Sequence, residues 1–215
     1  TLFYKNSNVS SVNISVLCKH CQHYAIAMKT YHHGNLKKEL IKCACVMCER
    51  DGYTKLSIRS LAKESKVSQT APYRHFKTKE DLYAAIVKEG FDKLNKKMMS
   101  IKIKDSKNYL IGCGKTYIDF GLNNANTYDL MFGTAVGNYA DYPDLSESAN
   151  NLFQFLLSSF RKLSDDDDEI VAFKCITLWS MVHGLVGIIR KVNIAGDGSK
   201  DGPMPFANQI SKNLD

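Results

Sequence analysis

Three observations predict an all-α fold for this chain. Breakers are rare: four prolines and 13 glycines in 215 residues leave long uninterrupted segments. Apolar residues in those segments recur at three- and four-residue spacing, the period of a helix with one buried face. No alternation of apolar and polar residues persists long enough to make a strand. Hydrophobic residues make up 44% and charged residues 24%, which is ordinary for a globular protein with a real core.

The elements follow in order. Leu36, Leu40, Ile41, Ala44 and Met47 form the apolar stripe of a first helix. The run "RDGYTKLS" ends it, with Gly52 at the C-cap. Ser57 caps a second helix, Ile58 to Ser65, with Ile58, Leu61 and Ala62 facing inward. Lys66 and Val67 make a tight turn, and Ser68 caps a third helix that reaches His75 or Phe76. Thr78 opens a fourth, with Asp81 three residues on in capping-box position. Leu82, Ile86, Phe91 and Leu94 continue its stripe. Two short helices joined by so short a turn have the layout of a helix-turn-helix unit.

Beyond residue 100 the helices lengthen. One is predicted over Asp105 to Asn123, a short one in "YDLMFG" ending at Gly133, and one over Pro143 to Leu163. Ser164 caps the next, whose first turn holds "DDDDE", where carboxylates favour the positive end of the helix dipole. That run therefore reads as structural and not as a metal site. The helix continues to about Val192 and is apolar almost all round, as a helix with two buried faces should be. Its uncharged run, Cys175 to Ile189, has 15 residues against the roughly 20 that a bilayer needs, so no membrane segment is expected. The last dozen residues read as a short terminal helix.

The net charge of +7 is uneven. Residues 29–100 hold 16 Lys/Arg against eight Asp/Glu, whereas residues 101–215 hold 11 against 14. A basic first half on a mildly acidic second half suggests that one part meets a polyanion. Residues 1–28 differ from the rest in being Ser/Asn/Val-rich, and read as a leader, disordered or translated from upstream of Met28. Cys18, His20, Cys21 and His23 crowd into six residues there, without the two separated elements that structural zinc sites use, so no metal is expected. Seven cysteines give an odd count and no regular disulfide framework, which points to a reducing, cytoplasmic interior.

The candidate chemistry lies in Ser68 to His75. Gln69 and Arg74 can make bidentate contacts to base edges, and Thr70, Tyr73 and His75 can bond bases or phosphates. Val67 and Phe76 anchor the segment, and Pro72 stiffens it near the end of its first turn. Arg59 can reach the same groove, and Lys77 and Lys79 flank a helix N-terminus whose free N–H groups suit a phosphate. The candidate DNA-contacting set is Ser57, Arg59, Ser68, Gln69, Thr70, Tyr73, Arg74, His75 and Lys79.

The run "GYTKLSIRSLAKESKVSQTAPYRHFKTKEDLYAAI", Gly52 to Ile86, closely resembles the tetracycline-repressor (TetR) family of bacterial transcriptional regulators. "YHHGNL", "YDLMFG" and "WSMVHG" resemble the subgroup whose C-terminal domain is named WHG. The resemblance covers roughly Lys29 to Val192. It implies a helix-turn-helix domain over 29–90, an effector-binding and dimerisation domain over 91–215, and a homodimer on a pseudo-palindromic operator. It implies DNA contacts for Ser57, Arg59, Gln69, Thr70, Tyr73, His75 and Lys79. Lys66 stands at a turn position where the family usually has glycine; a left-handed backbone there would cost about 1 kcal/mol.

Tyr117, Phe120, Met131, Trp179 and His183 are candidates for the effector pocket, with core packing as the alternative for Trp179 and His183. Leu152, Phe153, Leu156, Phe160, Leu178 and Leu185 are candidates for the dimer interface, with core again the alternative. An aromatic-rich second domain suggests a hydrophobic or aromatic effector. No nucleophile–base–acid set stands at a recognisable motif, so catalysis is not expected, nor a cofactor. A regulator sensing redox state or metal through Cys43, Cys45, Cys48 or Cys113 is the alternative; buried packing is the blander reading of those thiols.

Overall fold

The computed structural model describes residues 35–102 and 106–195. The leader, with its Cys/His group, and the expected terminal helix lie outside these residues. By its contacts the chain from Lys37 onward forms one compact unit. Seven α-helices are described: α1 (Leu36–Asp51), α2 (Ile58–Glu64), α3 (Lys79–Met99), α4 (Ser106–Asn123), α5 (Ala125–Phe132), α6 (Pro143–Arg161) and α7 (Asp168–Ala195). Short 3-10 turns stand at Tyr53–Lys55, Pro72–Arg74 and Tyr139–Asp141. There is no strand among the described residues.

The caps predicted at Ser57, Thr78 and Gly52 form. The Ser57 and Ser60 side chains each bond the other's backbone N–H, and Thr78 and Asp81 do the same at the start of α3. Gly52, at φ 84°, returns its N–H to the Cys48 carbonyl at 2.9 Å and ends α1.

Long α3 ties the molecule together. It packs on α4, α5 and α6, while α7 packs on α4 and α6. Leu82, Ile86 and Leu94 on α3 are fully buried, as are Leu40 on α1 and Leu61 on α2. Each such side chain contributes about 1.5–3 kcal/mol on burial. Helix contact is close where α4 meets α7. A Cβ built at Gly121 would lie 2.6 and 2.9 Å from the two methyls of Val186 and 3.1 Å from the Tyr128 ring. Val186 is fully buried and β-branched, so it has no rotamer in which to yield. Gly121→Ala is therefore expected to cost about 1–3 kcal/mol, read as a lower midpoint in thermal or urea unfolding.

The last helix departs from expectation in two ways. It begins at Asp168 and not at Ser164, because Asp167 is the residue that caps it: the Asp167 carboxylate accepts from the Ile170 N–H at 3.0 Å. Ser164 instead bonds Asp166, which also takes Lys174. Nor does α7 have two buried faces. Val171, Cys175 and Val186 point inward, but Ile170, Phe173, Ile176, Met181 and Ile188 are exposed and share the opposite side. By length and composition Asp168–Lys191 could cross a membrane, with mean hydropathy 1.6. The apolar residues Ile170 to Phe173 lengthen its 15-residue uncharged core on one side, across Lys174, and Arg190 and Lys191 end it on the other.

Candidate nucleic-acid interface and aromatic site

The segment after α2 is built to present side chains outward. Lys66 has φ 55°, the left-handed conformation that the turn requires. The Lys66 N–H reaches the Lys63 carbonyl at 3.2 Å, and the Val67 N–H reaches Ala62 at 3.0 Å. A residue with a Cβ is strained there, so Lys66→Gly is expected to stabilise the fold by about 1 kcal/mol. The check is the unfolding midpoint at unchanged m-value.

The expected third α-helix is absent. Residues 68–75 form a turn followed by one 3-10 turn at Pro72–Arg74. The cause is Pro72, which has no N–H to return to the Ser68 carbonyl and whose ring crowds it. The backbone uses shorter bonds: Ala71 to Ser68 at 3.0 Å, Arg74 to Ala71 at 3.3 Å, and His75 to Pro72 at 2.9 Å. The anchors also differ: Pro72 and Phe76 are buried, whereas Val67 is half-buried.

The side chains around these two anchors are free to meet a partner. Ser68, Gln69, Thr70, Tyr73, Arg74 and His75 are all exposed, Tyr73 at 46% of its surface, and Arg59 is exposed on α2. Ser57 is half-buried, its hydroxyl receiving the Ser60 N–H at 3.0 Å. Lys79 is exposed, but its Nζ lies 3.2 Å from the Thr54 carbonyl and 5.1 Å from the Tyr83 ring centre. It holds the Tyr53–Lys55 turn against α3, helped by the Tyr83 hydroxyl on the Tyr53 carbonyl at 2.6 Å. Asp81 accepts from the Lys77 and Thr78 N–H groups at 2.8 and 2.9 Å.

A second constellation lies where α4, α5 and α7 meet. The Tyr117 hydroxyl accepts from Trp179 Nε1 at 3.0 Å and lies 3.0 Å from His183 Nδ1. The Tyr128 hydroxyl lies 2.5 Å from the same nitrogen and 3.2 Å from Tyr117. Phe132 packs on this group, with ring centres 4.8 Å from Tyr128 and 4.9 Å from His183. Burial holds His183 below its ordinary value, so the neutral imidazole can accept from a phenol, and it pushes both tyrosines up.

Between α3, α4, α6 and α7 is a cavity of about 20 Å³, lined by Met98, Tyr117, Leu156, Phe160, Leu178 and Trp179 among others. No charged side chain lines it. Tyr117 and Trp179 therefore serve both cavity and network, and His183 the network alone. Phe120 and Met131 are fully buried and do not line the cavity. Tyr128 and Phe132 are central to the cluster but are not among the candidate pocket residues. The signal for them is their one-turn spacing on the short helix in "YDLMFG".

Two models of one family match the chain. That of bacterial regulatory proteins of the tetR family matches residues 40–86, and that of the tetracyclin repressor-like C-terminal domain matches residues 110–198. The chain belongs to the TetR family. It is a DNA-binding transcriptional regulator with an N-terminal helix-turn-helix and a larger helical domain.

Solved TetR-like structures share the fold. A protein of unknown function from Rhodococcus sp. RHA1 is 21% identical, with TM-score 0.64 over 86% of this chain and 95% of its own. A TetR family transcriptional regulator from Thermus thermophilus is 17% identical, with TM-score 0.54 over 81% and 94%. A TetR variant from Acinetobacter baumannii AYE in complex with minocycline is 19% identical, with TM-score 0.55 over 83% and 82%. No curated protein sequence matches.

Of the candidate dimer residues in this TetR chain only Leu152 is buried, and the other five are half-buried. Leu152 is buried, Phe153 packs on Trp179 at 6.4 Å, and Leu156, Phe160 and Leu178 close the cavity. Leu185 is half-buried. The five described cysteines are free, and burial pushes Cys48 up to about 12 and Cys113 to about 11. Thiols so raised are poor nucleophiles and poor metal ligands. Among the described residues no three His, Cys, Asp or Glu side chains gather as a metal site.

Proposed function

We propose that this TetR-family regulator is a cytoplasmic, homodimeric repressor that leaves its operator on binding a small apolar or aromatic effector. The observation that carries the DNA reading is the exposed set Gln69, Thr70, Tyr73, Arg74 and His75, held on a short segment anchored by buried Pro72 and Phe76 in a basic region. Base-edge recognition needs such side chains on a short rigid element, and nothing in the core needs them. Residues 29–90 would form the DNA-reading domain and 91–215 the effector-binding and dimerisation domain. The exposed apolar side of α7 supports a second copy as the partner that covers it. The uncharged cavity and its aromatic wall support an apolar effector. The polar network at its edge is already paired, so a charged ligand would find no counter-charge there.

The reading is tested by fluorescence anisotropy with DNA from upstream of the chain's own gene against scrambled DNA, over a salt series. Tight, sequence-dependent binding whose log affinity falls linearly with log salt is expected. Ligand-free protein that prefers no promoter fragment would overturn it.

A further inference from the structure

Tyr117 of α4, Tyr128 of α5 and His183 of α7 bring three polar atoms into a closed triangle. The Tyr128 hydroxyl lies 2.5 Å and the Tyr117 hydroxyl 3.0 Å from His183 Nδ1, and the two hydroxyls are 3.2 Å apart. Counting hydrogens fixes its closed state. With a neutral imidazole protonated at Nε2, the triangle holds two phenol protons and one nitrogen lone pair. One phenol donates to Nδ1 and the other donates to that phenol, so every donor finds an acceptor. Trp179 Nε1–H adds a bond to Tyr117 from outside at 3.0 Å. Once Nδ1 is protonated the count fails. The nitrogen becomes a third donor, and the phenols cannot each donate to the other at once, so one phenol proton must turn away. What it turns toward is apolar: the Phe132 ring centre is 4.8 Å from that of Tyr128 and 6.2 Å from that of Tyr117. A buried donor without an acceptor is unfavourable.

The charged groups that face the triangle are paired with one another or with backbone. On α5, Asp129 takes Arg190 of α7 at 2.5 and 2.8 Å. On α1, the Glu49 carboxylate accepts from the N–H groups of Asn126 and Thr127 at 3.3 and 3.1 Å, and from the Thr127 hydroxyl at 2.8 Å. Helix α6 brings the Phe153 ring onto Trp179. We propose that the triangle is a proton-operated latch: neutral His183 holds α4 and α5 to α7, and protonation of His183 releases them, which makes the larger domain responsive to acid. Tyr117 and Trp179 also line the cavity, so an open latch frees two of its walls. Burial holds His183 below its ordinary value, so as the pH falls the unfolded chain takes up this proton before the folded one. The stability that the latch contributes is therefore complete above about pH 6.5 and is lost below it. The latch needs neither DNA nor an effector, and stands apart from the ligand-responsive reading.

Trp179 is the only tryptophan in the chain and donates into the triangle, so its emission and its quenching by acrylamide report the latch. The experiment titrates the full chain, without DNA, from about pH 8 to about pH 5. The wild-type quenching constant should rise about two-fold in one transition centred below about pH 6.5. His183→Asn keeps an acceptor where Nδ1 stands and does not titrate, so it should remain closed at every pH. His183→Gln carries its acceptor where Nε2 stands, so it should remain open at every pH. Nitrogen-15 spectra of histidine-labelled wild type, with His183 identified by its loss in His183→Gln, should show the neutral ring protonated at Nε2. The same spectra carry the test through their own pH midpoint if circular dichroism shows His183→Asn unfolded. A Trp179 transition that persists in His183→Asn belongs to another group and overturns the proposal. A midpoint at or above about pH 6.5 overturns it too, because the stacked Tyr128 ring, centred 5.3 Å from that of His183, would then favour the cation over the closed triangle. So does a neutral ring protonated at Nδ1, or a quenching constant that never moves.

Discussion

Aspartate at Phe173 and Met181 together is expected to yield a folded monomer that no longer holds operator DNA. The two side chains are 71% and 60% exposed, and they share one side of α7 with Ile170, Ile176 and Ile188. Gly184 and Gly187 lie on the same side with nothing within 4 Å of a built Cβ, which leaves room for a second helix to approach closely. Covering a large apolar side chain contributes about 1.5–3 kcal/mol, and a two-fold interface counts each residue twice. Charge at its centre removes that gain and adds a desolvation cost. The fold should survive, since neither residue packs inside its own chain. A monomer engages one half-site at a time, so operator affinity should fall by about 10²- to 10⁴-fold. Sedimentation at micromolar concentration checks the assembly state and anisotropy checks the affinity. A variant that remains dimeric would place the interface elsewhere.

Alanine at Gln69, Tyr73 and Arg74 should abolish sequence preference while leaving the dimer intact. Each base-edge contact is worth about 1–3 kcal/mol of discrimination. Losing three brings specific binding down toward the weak level that phosphate contacts alone sustain. The three side chains are exposed, so thermal stability should move by no more than about 0.5 kcal/mol. Competition between operator and scrambled DNA is the decisive measurement. Preference that persists in the triple variant would assign reading to Arg59 and His75 instead.

Much of the DNA-reading half is legible in the sequence because its signals are local. Ser57, Thr78 and Gly52 cap what their positions predict, and Lys66 adopts the strained turn that its place implies. The third helix escapes that reading although its decisive residue is in view. Pro72 is tolerated in the first turn of an α-helix, but here it follows Ser68 by four residues and removes the one bond that would have set the α period. The second half depends on information that a single sequence does not hold. The stripe from Leu152 to Phe160 and the open side of α7 are both apolar at helical spacing, and only the packing shows how much of each this chain covers itself. Glu49 reads as one more exposed charge on an amphipathic helix. Its bonds to residues 77 and 78 positions further along the chain are long-range and leave no periodic trace.

The two-anchor construction of the reading segment bears on how such a regulator diversifies. Pro72 and Phe76 are the buried side chains of residues 68–76, and the exposed ones around them, Gln69, Thr70, Tyr73, Arg74 and His75, do not support the core. Folding and recognition therefore draw on separate residues within one short stretch. Descendants of this gene can exchange Gln69, Thr70, Tyr73, Arg74 or His75 and acquire new target sites without first gaining spare stability. Drift at Pro72 or Phe76, by contrast, would be purged whatever DNA the protein reads.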